Sequence, residues 1–466
     1  MRGASASGAM RSPRSNGPPT IPIGRSCPRT EGRGLPRPRP SRGLAMDSGR
    51  SGSGSMARSS FHPGSPARRP AAPCRRRSIV SRSSSARTER FVGSITVPSG
   101  GSASFRTEAE IPRSAGYAPL SRRFALCGPG AGRGGDPMTT IATVSGETTP
   151  DGLGRTLMHE HLVIGYPGWE SHTTRPGLSE ADQFAVCVDK IQQLQDLGFS
   201  SMLDPCPNDL GRDVELAAKV AQETGFQIIC ATGLYKQVEG GFPYWHFRSQ
   251  FGSVLEPMTE LFIRELTEGI GETGIRAGII KVATGVGEIT EHERTVLVAA
   301  ARASVETGAP ITTHTDQGQL GDQQLRILTE NGVSPQRIII GHSCGTDDHA
   351  YHMGLARAGA YLGFDRFGIE LIHPDASRIA ALVKLIKAGA GDRIVVSHDS
   401  VWCWRGEPLP PELTENLPEG IFDPTHFTRR IVPRLIDAGV TEEQIDRLLV
   451  DNPRRFFEGE KLAALA

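Results

Sequence analysis

Lysine is absent from the first 137 residues, where 24 arginines accompany only six acidic residues. The excess of 24 over six gives that segment a formal charge of +18, whereas the remaining 28 basic and 45 acidic residues give −17. Serine, proline and glycine are abundant there, and the apolar residues are too scattered to form a periodic face. Such a segment buries too little surface to offset the entropy lost on ordering. We therefore expect a disordered extension at residues 1–137 and a folded domain at residues 138–466.

The arginine-rich extension has three interpretations. It could bind nucleic acid or act as an organelle transit peptide. However, it has few aromatic residues to stack on bases, and it lacks the apolar stretch of a secretory signal. Translated GC-rich non-coding DNA would also supply arginine without lysine, and Met138, followed by two threonines, resembles a natural start. We prefer this last interpretation, in which the start is mis-assigned and nucleic acid is not a partner.

Paired cysteines and long hydrophobic runs are also missing. The eight cysteines include no Cys-x-x-Cys pair, and this usage predicts a reducing compartment. No apolar run reaches the roughly 18 residues that cross a bilayer. We therefore expect a soluble, cytoplasmic protein without a membrane partner.

Residues 138–466 repeat a pattern of short β-rich run, polar turn and amphipathic helix. The eight predicted strands are residues 156–163, 201–204, 227–232, 277–284, 310–315, 337–343, 361–365 and 393–399. Runs as apolar as residues 338–340 are typical of a parallel sheet covered on both faces. Eight such units predict the α/β class and a TIM (β/α)8 barrel. A final helix is predicted to begin at Thr441, which forms a capping box with Gln444.

The first predicted strand contains His159, Glu160 and His161. Side chains alternate along a strand, so both histidines face one side and Glu160 faces the other. Two such imidazoles can bind a metal ion, although polar residues at a strand end are an equally ordinary explanation. The later strands favour the metal, because each candidate lies towards the carboxyl end of its strand, where TIM-barrel chemistry occurs. The candidate ligands are His159, His161, Lys281, His314, His342 and Asp399.

Lys281 indicates the kind of metal site, because it lies within an apolar strand. Burying an unpaired ammonium there would be costly. Desolvation and nearby divalent ions would favour the neutral amine. A neutral amine can capture carbon dioxide as a carbamate, whose two oxygens can join two metal ions. Alternatively, Lys281 extends to the barrel mouth and binds substrate.

These residues occur in motifs that resemble the phosphotriesterase-like branch of the amidohydrolase superfamily. The motifs are residues 158–161, 280–283, 311–314, 340–342 and 396–399, and the likeness extends over residues 139–459. The resemblance implies two metal ions and a hydroxide nucleophile that bridges them. The more buried ion would be held by His159, His161 and Asp399, the more exposed ion by His314 and His342, and both by carboxylated Lys281.

Four residues are assigned to catalysis. Asp399 is placed to accept the nucleophile's proton as general base, and Asp365 to orient a ligand or relay that proton. Asp365 could instead cap a helix. Residues 364–368 and 397–399 look more like the phosphotriesterase-like lactonases than the dedicated organophosphate hydrolases. Tyr235 and Arg366 would then lie at the mouth, with Tyr235 either donating to a lactone carbonyl or packing as a rim residue.

Two features depart from the lactonase pattern. Lys236 and Gln237 follow Tyr235, and the predicted loop at residues 400–422 carries Trp402 and Trp404. The predicted function is thus a binuclear metal-dependent hydrolase that acts on lactones, organophosphate triesters or both. The alternatives are an amide or cyclic-amide hydrolase with the same metals and a barrel that binds small molecules without turnover. Zinc, cobalt, manganese and iron all suit these ligands, and a homodimer is expected because dimers are the commonest oligomers.

Overall fold

The computed structural model describes residues 140–414, 416–418 and 420–465, so the disorder expected at residues 1–137 lies outside the described residues. The strands are β1 (Ile141–Thr143), β2 (Gly146–Thr148), β3 (Arg155–Leu157), β4 (Glu160–Ile164), β5 (Phe199–Asp204), β6 (Gln227–Leu234), β7 (Ile279–Thr284), β8 (Ile311–Thr315), β9 (Ile338–Ile340), β10 (Tyr361–Phe364), β11 (Ile394–Val396) and β12 (Ser400–Trp404). Strands β1 and β2 form a small hairpin. The main sheet has eight parallel strands, in the order β11-β10-β9-β8-β7-β6-β5-β3.

This sheet closes between its two edge strands, since the Met158 amide donates to the Val396 carbonyl at 3.3 Å. Strands β4 and β12 continue the two edges as a separate parallel pair, in which His161 lies opposite Val401. The closed sheet and its surrounding helices confirm the TIM barrel expected from the sequence.

Three predicted strands are wrong in detail. The strand predicted at residues 156–163 is interrupted at Met158 and His159, and the strands predicted at residues 337–343 and 393–399 end at Ile340 and Val396. Side-chain hydrogen bonds replace the regular ladder at these breaks, because Ser397 Oγ accepts from the His159 amide at 3.0 Å. The loop predicted from residue 400 instead begins with strand β12.

Helices alternate with the strands along the chain. They are α1 (Glu180–Gln195), α2 (Val214–Thr224), α3 (Phe242–Ser249), α4 (Leu255–Thr267), α5 (Glu291–Thr307), α6 (Gly321–Glu330), α7 (His349–Ala358), α8 (Asp375–Lys387), α9 (Pro411–Thr414), α10 (Val432–Asp437), α11 (Glu442–Asp446) and α12 (Asn452–Glu458). The capping box predicted at Thr441 and Gln444 is confirmed at the start of α11. None of the helices in the described residues is long and apolar enough to cross a membrane.

Two apolar layers hold this architecture together. The larger layer lies between strands and helices and includes Val220, Phe262 and Leu297. A smaller one joins inward-facing strand residues, such as Ile279, to Phe456 of α12. The interior of the barrel is therefore filled with apolar side chains at one end, which leaves the other end for the polar residues described below.

Candidate metal centre

The break between the edge strands brings His159, His161 and Asp399 together. The Asp399 amide donates to the His159 carbonyl at 3.0 Å, which fixes the end of one broken strand against the other. One carboxylate oxygen of Asp399 lies 3.3 Å from His159 Nε2 and 3.3 Å from His161 Nε2. Three predicted ligands thus converge on one point, and all three are at least largely buried.

His342 and Asp399 both have left-handed backbone conformations, with φ values of 56° and 55°. This backbone conformation is strained for residues other than glycine, so the surrounding structure must enforce it. In both cases the unusual backbone lies two or three residues beyond the end of a barrel strand and turns a side chain towards the same centre. His342 Nε2 lies 3.8 Å from the second Asp399 oxygen.

Lys281 approaches the same point from the middle of β7. Its side chain is 2% exposed, and its Nζ lies 3.2 Å from His159 Nε2. Burial lowers the pKa of Lys281 to about 8, because the charged amine is poorly solvated there. The structure therefore brings a buried lysine, with an increased fraction of neutral amine, against the first histidine of the His-x-His pair.

Asp365 supports two of these histidines from behind. It accepts from His159 Nδ1 at 3.1 Å and, with its other oxygen, from His342 Nδ1 at 2.9 Å. Burial opposes ionisation of Asp365, but His342 and His159 hold its pKa well below the usual range. The Asp365 carboxylate fits here because residue 363 is a glycine: a Cβ on Gly363 would lie 2.4 Å from that carboxylate. The carboxylate thus directs the Nε2 atoms of both imidazoles towards Asp399. Asp365 therefore orients the two histidines and does not cap a helix.

The other two histidines also have carboxylates behind them. His161 Nδ1 donates to Asp204 at 3.2 Å, and His314 Nε2 donates to Asp316 at 2.7 Å. Both aspartates were missed in the sequence analysis. Asp204 ends β5, so the strand-end rule that selected the other residues would have found it. Asp316 lies just beyond a strand, where no regular periodicity identifies it.

Arg366 and Tyr235, which the sequence analysis expected at the mouth, both reach the centre. Arg366 Nε donates to Asp399 at 2.8 Å, and its side chain is largely buried rather than exposed at a rim. Burial raises the pKa of the Asp399 carboxyl, but His342 and Arg366 together hold that pKa well below its usual range. The Tyr235 hydroxyl donates to His314 Nδ1 at 3.3 Å, and burial raises its pKa well above the usual range. Tyr235 therefore remains a hydrogen-bond donor at neutral pH.

A cavity of about 320 Å³ opens onto this cluster. Its floor is formed by the candidate ligands, and its walls are largely apolar. Wall residues include Ile164, Leu210, Ile372, Trp404 and Phe422. Trp404 was predicted on a loop, but it comes from β12.

The positions and chemical types of these donor atoms fit divalent metal ions. Imidazole and carboxylate atoms of His159, His342 and Asp399 lie close enough together to share an ion. The far nitrogens of the histidines are occupied by carboxylates, which is how metal-binding imidazoles are usually oriented. Imidazole and carboxylate ligands suit zinc and its first-row neighbours. Fold and cluster together define a TIM-barrel protein with a candidate metal centre at the carboxyl ends of its strands.

Comparison with known proteins agrees with that class. The profile of the phosphotriesterase family matches residues 139–457. A phosphotriesterase homology protein of Mycobacterium tuberculosis is 37% identical over 325 residues, which cover 69% of this chain and 98% of the relative. The chain belongs to the phosphotriesterase family, whose members are hydrolases.

Solved structures resemble the chain as well. An organophosphorus hydrolase from Deinococcus radiodurans has 40% identity and a TM-score of 0.66, over 70% of this chain and 100% of its own. Another is described as organophosphate hydrolysis engineered from a weak promiscuous lactonase; it has 39% identity and a TM-score of 0.65, over 68% of this chain and 99% of its own.

Proposed function

We propose that the protein is a binuclear metal-dependent hydrolase that opens lactones and also hydrolyses organophosphate triesters. The observation that carries this proposal is the convergence of four histidines, Lys281 and Asp399 on the floor of one apolar cavity. His159, His161 and Asp399 would hold one ion, His314 and His342 the other, and Lys281 both as a carbamate.

The carbamate would form when the neutral Lys281 amine attacks the carbon of carbon dioxide and releases a proton. Burial favours that neutral form, since it lowers the pKa of Lys281 to about 8. The single hydrogen-bond contact of Nζ among the residues that the structure describes is to His159. A carbamate would replace a poorly solvated ammonium with an anion, which suits a centre of two cations.

Two divalent ions supply a water of lowered pKa and polarise the oxygen of the carbonyl or phosphoryl group under attack. Asp399 would accept the proton of the attacking water, because its carboxylate lies at the centre of the cluster and stays ionised. Asp365 would keep two imidazoles in the orientation that the ligands need.

Arg366 and Tyr235 would be the donors to substrate once a metal ion takes the place of the Tyr235 hydroxyl at His314 Nδ1. Both face the cavity, and Tyr235 retains its proton at neutral pH because burial raises its pKa. A carbonyl oxygen that gains negative charge beside them would accept hydrogen bonds in a largely water-excluded site, where such bonds are strong. The apolar walls favour an acyl or aryl group on the substrate.

Metal analysis combined with a substrate panel tests the proposal. The protein is freed of metal, reloaded with Zn²⁺ or Co²⁺, and assayed with an acyl lactone, an aryl phosphotriester and an anilide. We expect about two ions per chain and metal-dependent turnover of the lactone above that of the phosphotriester. Anilide cleavage without ester cleavage would make the protein an amide hydrolase. If the protein binds fewer than two ions and turns over none of the substrates, the hydrolase proposal fails and a small-molecule binding protein remains.

A further inference from the structure

One of the four candidate ligand histidines is turned the opposite way from the others. His159, His161 and His342 each donate from Nδ1 to a carboxylate, which leaves Nε2 facing the cluster. His314 donates from Nε2 to Asp316 and presents Nδ1 instead, towards the Tyr235 hydroxyl. The hydrogen on a neutral imidazole can occupy either nitrogen, so the carboxylate decides which nitrogen is free to bind a metal ion.

Asp316 is also held differently from the carboxylates behind the other histidines. Asp365 and Asp204 accept their further hydrogen bonds from backbone amides. Asp316 instead pairs with the Lys236 ammonium, which donates to its two oxygens at 3.1 and 2.9 Å. Asp316 is 20% exposed, so it has the solvent access that would let it turn away without this partner.

Lys236 is not an ordinary surface lysine. Its neighbours are fixed by the backbone, since the Tyr235 amide donates to Asp209 at 2.9 Å and the Gln237 amide to Glu293 at 3.2 Å. Lys236 itself is only 8% exposed. A loop fixed on both sides therefore presents the ammonium to Asp316, and the same ammonium also pairs with the more exposed Glu239 at 2.9 Å. This is one of the two places at which the sequence departs from the lactonase pattern.

We propose that Lys236 is a positioning residue for the metal centre. It acts through Asp316: the ammonium holds the carboxylate, and the carboxylate keeps the hydrogen of His314 on Nε2. The Nδ1 atom then keeps its lone pair, which accepts from the Tyr235 hydroxyl here and would bind a metal ion in its place. The inference rests on the proposed binuclear function, in which His314 belongs to the more exposed ion. In this role Lys236 neither contacts the substrate nor transfers a proton.

The experiment compares Lys236→Met, which keeps length without charge, with Lys236→Arg, which keeps the charge. Lys384→Met, at an exposed position on α8, is the matched control. Co²⁺ is titrated into each metal-free protein, and the visible spectrum follows each bound equivalent. We expect Lys236→Met to bind one of the two equivalents about 10-fold more weakly. Lys236→Arg and Lys384→Met should bind both equivalents as the unaltered protein does.

The hydrogen position on His314 gives a second readout. In Zn²⁺-loaded protein with 15N-labelled histidine, one metal-bound imidazole should carry its hydrogen on Nε2, and His314→Asn assigns that signal. We expect the signal to be reduced in Lys236→Met and kept in Lys236→Arg. Thermal unfolding, measured alongside, confirms that each variant is folded.

The outcomes separate the two proposals. If the unaltered protein binds only one ion, the binuclear function fails, and the role of Lys236 fails with it. If the unaltered protein binds two ions and folded Lys236→Met binds both equally well, the function stands and the role of Lys236 is wrong. Equal weakening in Lys236→Met and Lys236→Arg would also overturn it, because the positive charge would then make no difference.

Discussion

The two ends of the barrel interior use equivalent strand positions for opposite purposes. At the amino end, Ile279, Ile339 and Val395 face inward and join an apolar cluster. Two residues beyond Ile279, the same face of β7 carries Lys281, which lies at the polar centre. Because side chains alternate with a period of two, each strand can serve both layers. Residues for stability and residues for chemistry therefore occupy different positions along the same strand, and no strand is reserved for one purpose.

Burying polar groups at the polar end costs free energy, whereas burying apolar groups at the other end stabilises the fold. Buried charges cost free energy unless they are paired and hydrogen-bonded. Glu160 shows this compensation at one of its two oxygens. It is fully buried, and Oε1 accepts from Ser397 Oγ, the His398 amide and His398 Nδ1 at 2.8, 2.9 and 2.7 Å, whereas Oε2 has no hydrogen-bond partner among the described residues. This network lies beside the left-handed backbone of Asp399 and helps to enforce it. The amino end buries fewer polar groups, because most of its inward side chains are apolar; the Tyr361 hydroxyl is an exception.

The largest expected effect comes from removing part of the apolar end. Phe456 is completely buried, and its ring packs at 5.4 Å from that of Tyr361. Phe456→Ala should lower the free energy of unfolding by about 3–5 kcal/mol, measured by urea denaturation. Hydrolysis per folded molecule should stay unchanged. Phe251→Ala, at a site 78% exposed, is the control and should change stability by less than about 0.5 kcal/mol. Lost turnover in folded Phe456→Ala would contradict the separation of the two ends.

Lys281→Ala tests the polar end of the same layer. It removes the group proposed to join both ions, so turnover should fall by more than about 100-fold, the upper value for losing an outer partner of a ligand. Metal content per chain should fall as well, while the fold is retained. Added small carboxylates should restore part of the activity, because they can occupy the vacated space and supply the missing anion. Near-normal turnover in this variant would exclude the binuclear mechanism, and Lys384→Ala serves as the control.

Asp365→Asn should have an intermediate effect. An asparagine amide offers one acceptor oxygen and one donor nitrogen, so it cannot accept from both His159 and His342. We expect metal affinity to fall by about 10- to 100-fold, measured by competition with a chelator. Asp437→Asn, at the exposed end of α10, is the matched control. Unchanged affinity in Asp365→Asn would mean that the two imidazoles are oriented by packing alone.

Much of the fold and the centre was accessible from the sequence because both follow periodic rules. Apolar runs separated by amphipathic helices identified the barrel strands, and the strand-end rule selected residues that the structure brings together, such as His314 and Asp399. The capping box at Thr441 depends on neighbours three residues apart, so it too was readable.

The features that were missed depend on contacts between distant segments. The breaks at His159 and Ser397 arise from hydrogen bonds across 238 residues, which no local pattern encodes. The pairing of Lys236 with Asp316 spans 80 residues and joins two loops. Arg366 was expected at the mouth, but its contact with Asp399 follows from how the barrel closes. Long-range polar contacts between irregular segments are therefore what periodicity cannot supply.

The smallest expected effect is at a helix cap. Helix α11 lies at the amino end, where Asp446 accepts from Arg155, the first residue of β3, at 2.9 Å. Thr441 Oγ1 accepts from the Gln444 amide at 3.2 Å, and the Thr441 amide donates to Gln444 Oε1 at 3.0 Å. Thr441→Ala should cost about 1 kcal/mol of unfolding free energy, measured in urea, with metal content and turnover unchanged.

The control for that variant is Thr329→Ala within α6. The Thr329 hydroxyl donates to the Leu325 carbonyl of its own helix at 2.8 Å, a contact that stabilises a helix little or not at all. Its removal should leave stability unchanged or slightly raised. Equal losses in both variants would assign the effect to the threonine side chain in general rather than to the cap. A loss in Thr441→Ala alone, without any change at the metal centre, would extend the separation of stability from chemistry beyond the barrel interior to the helices that close its amino end.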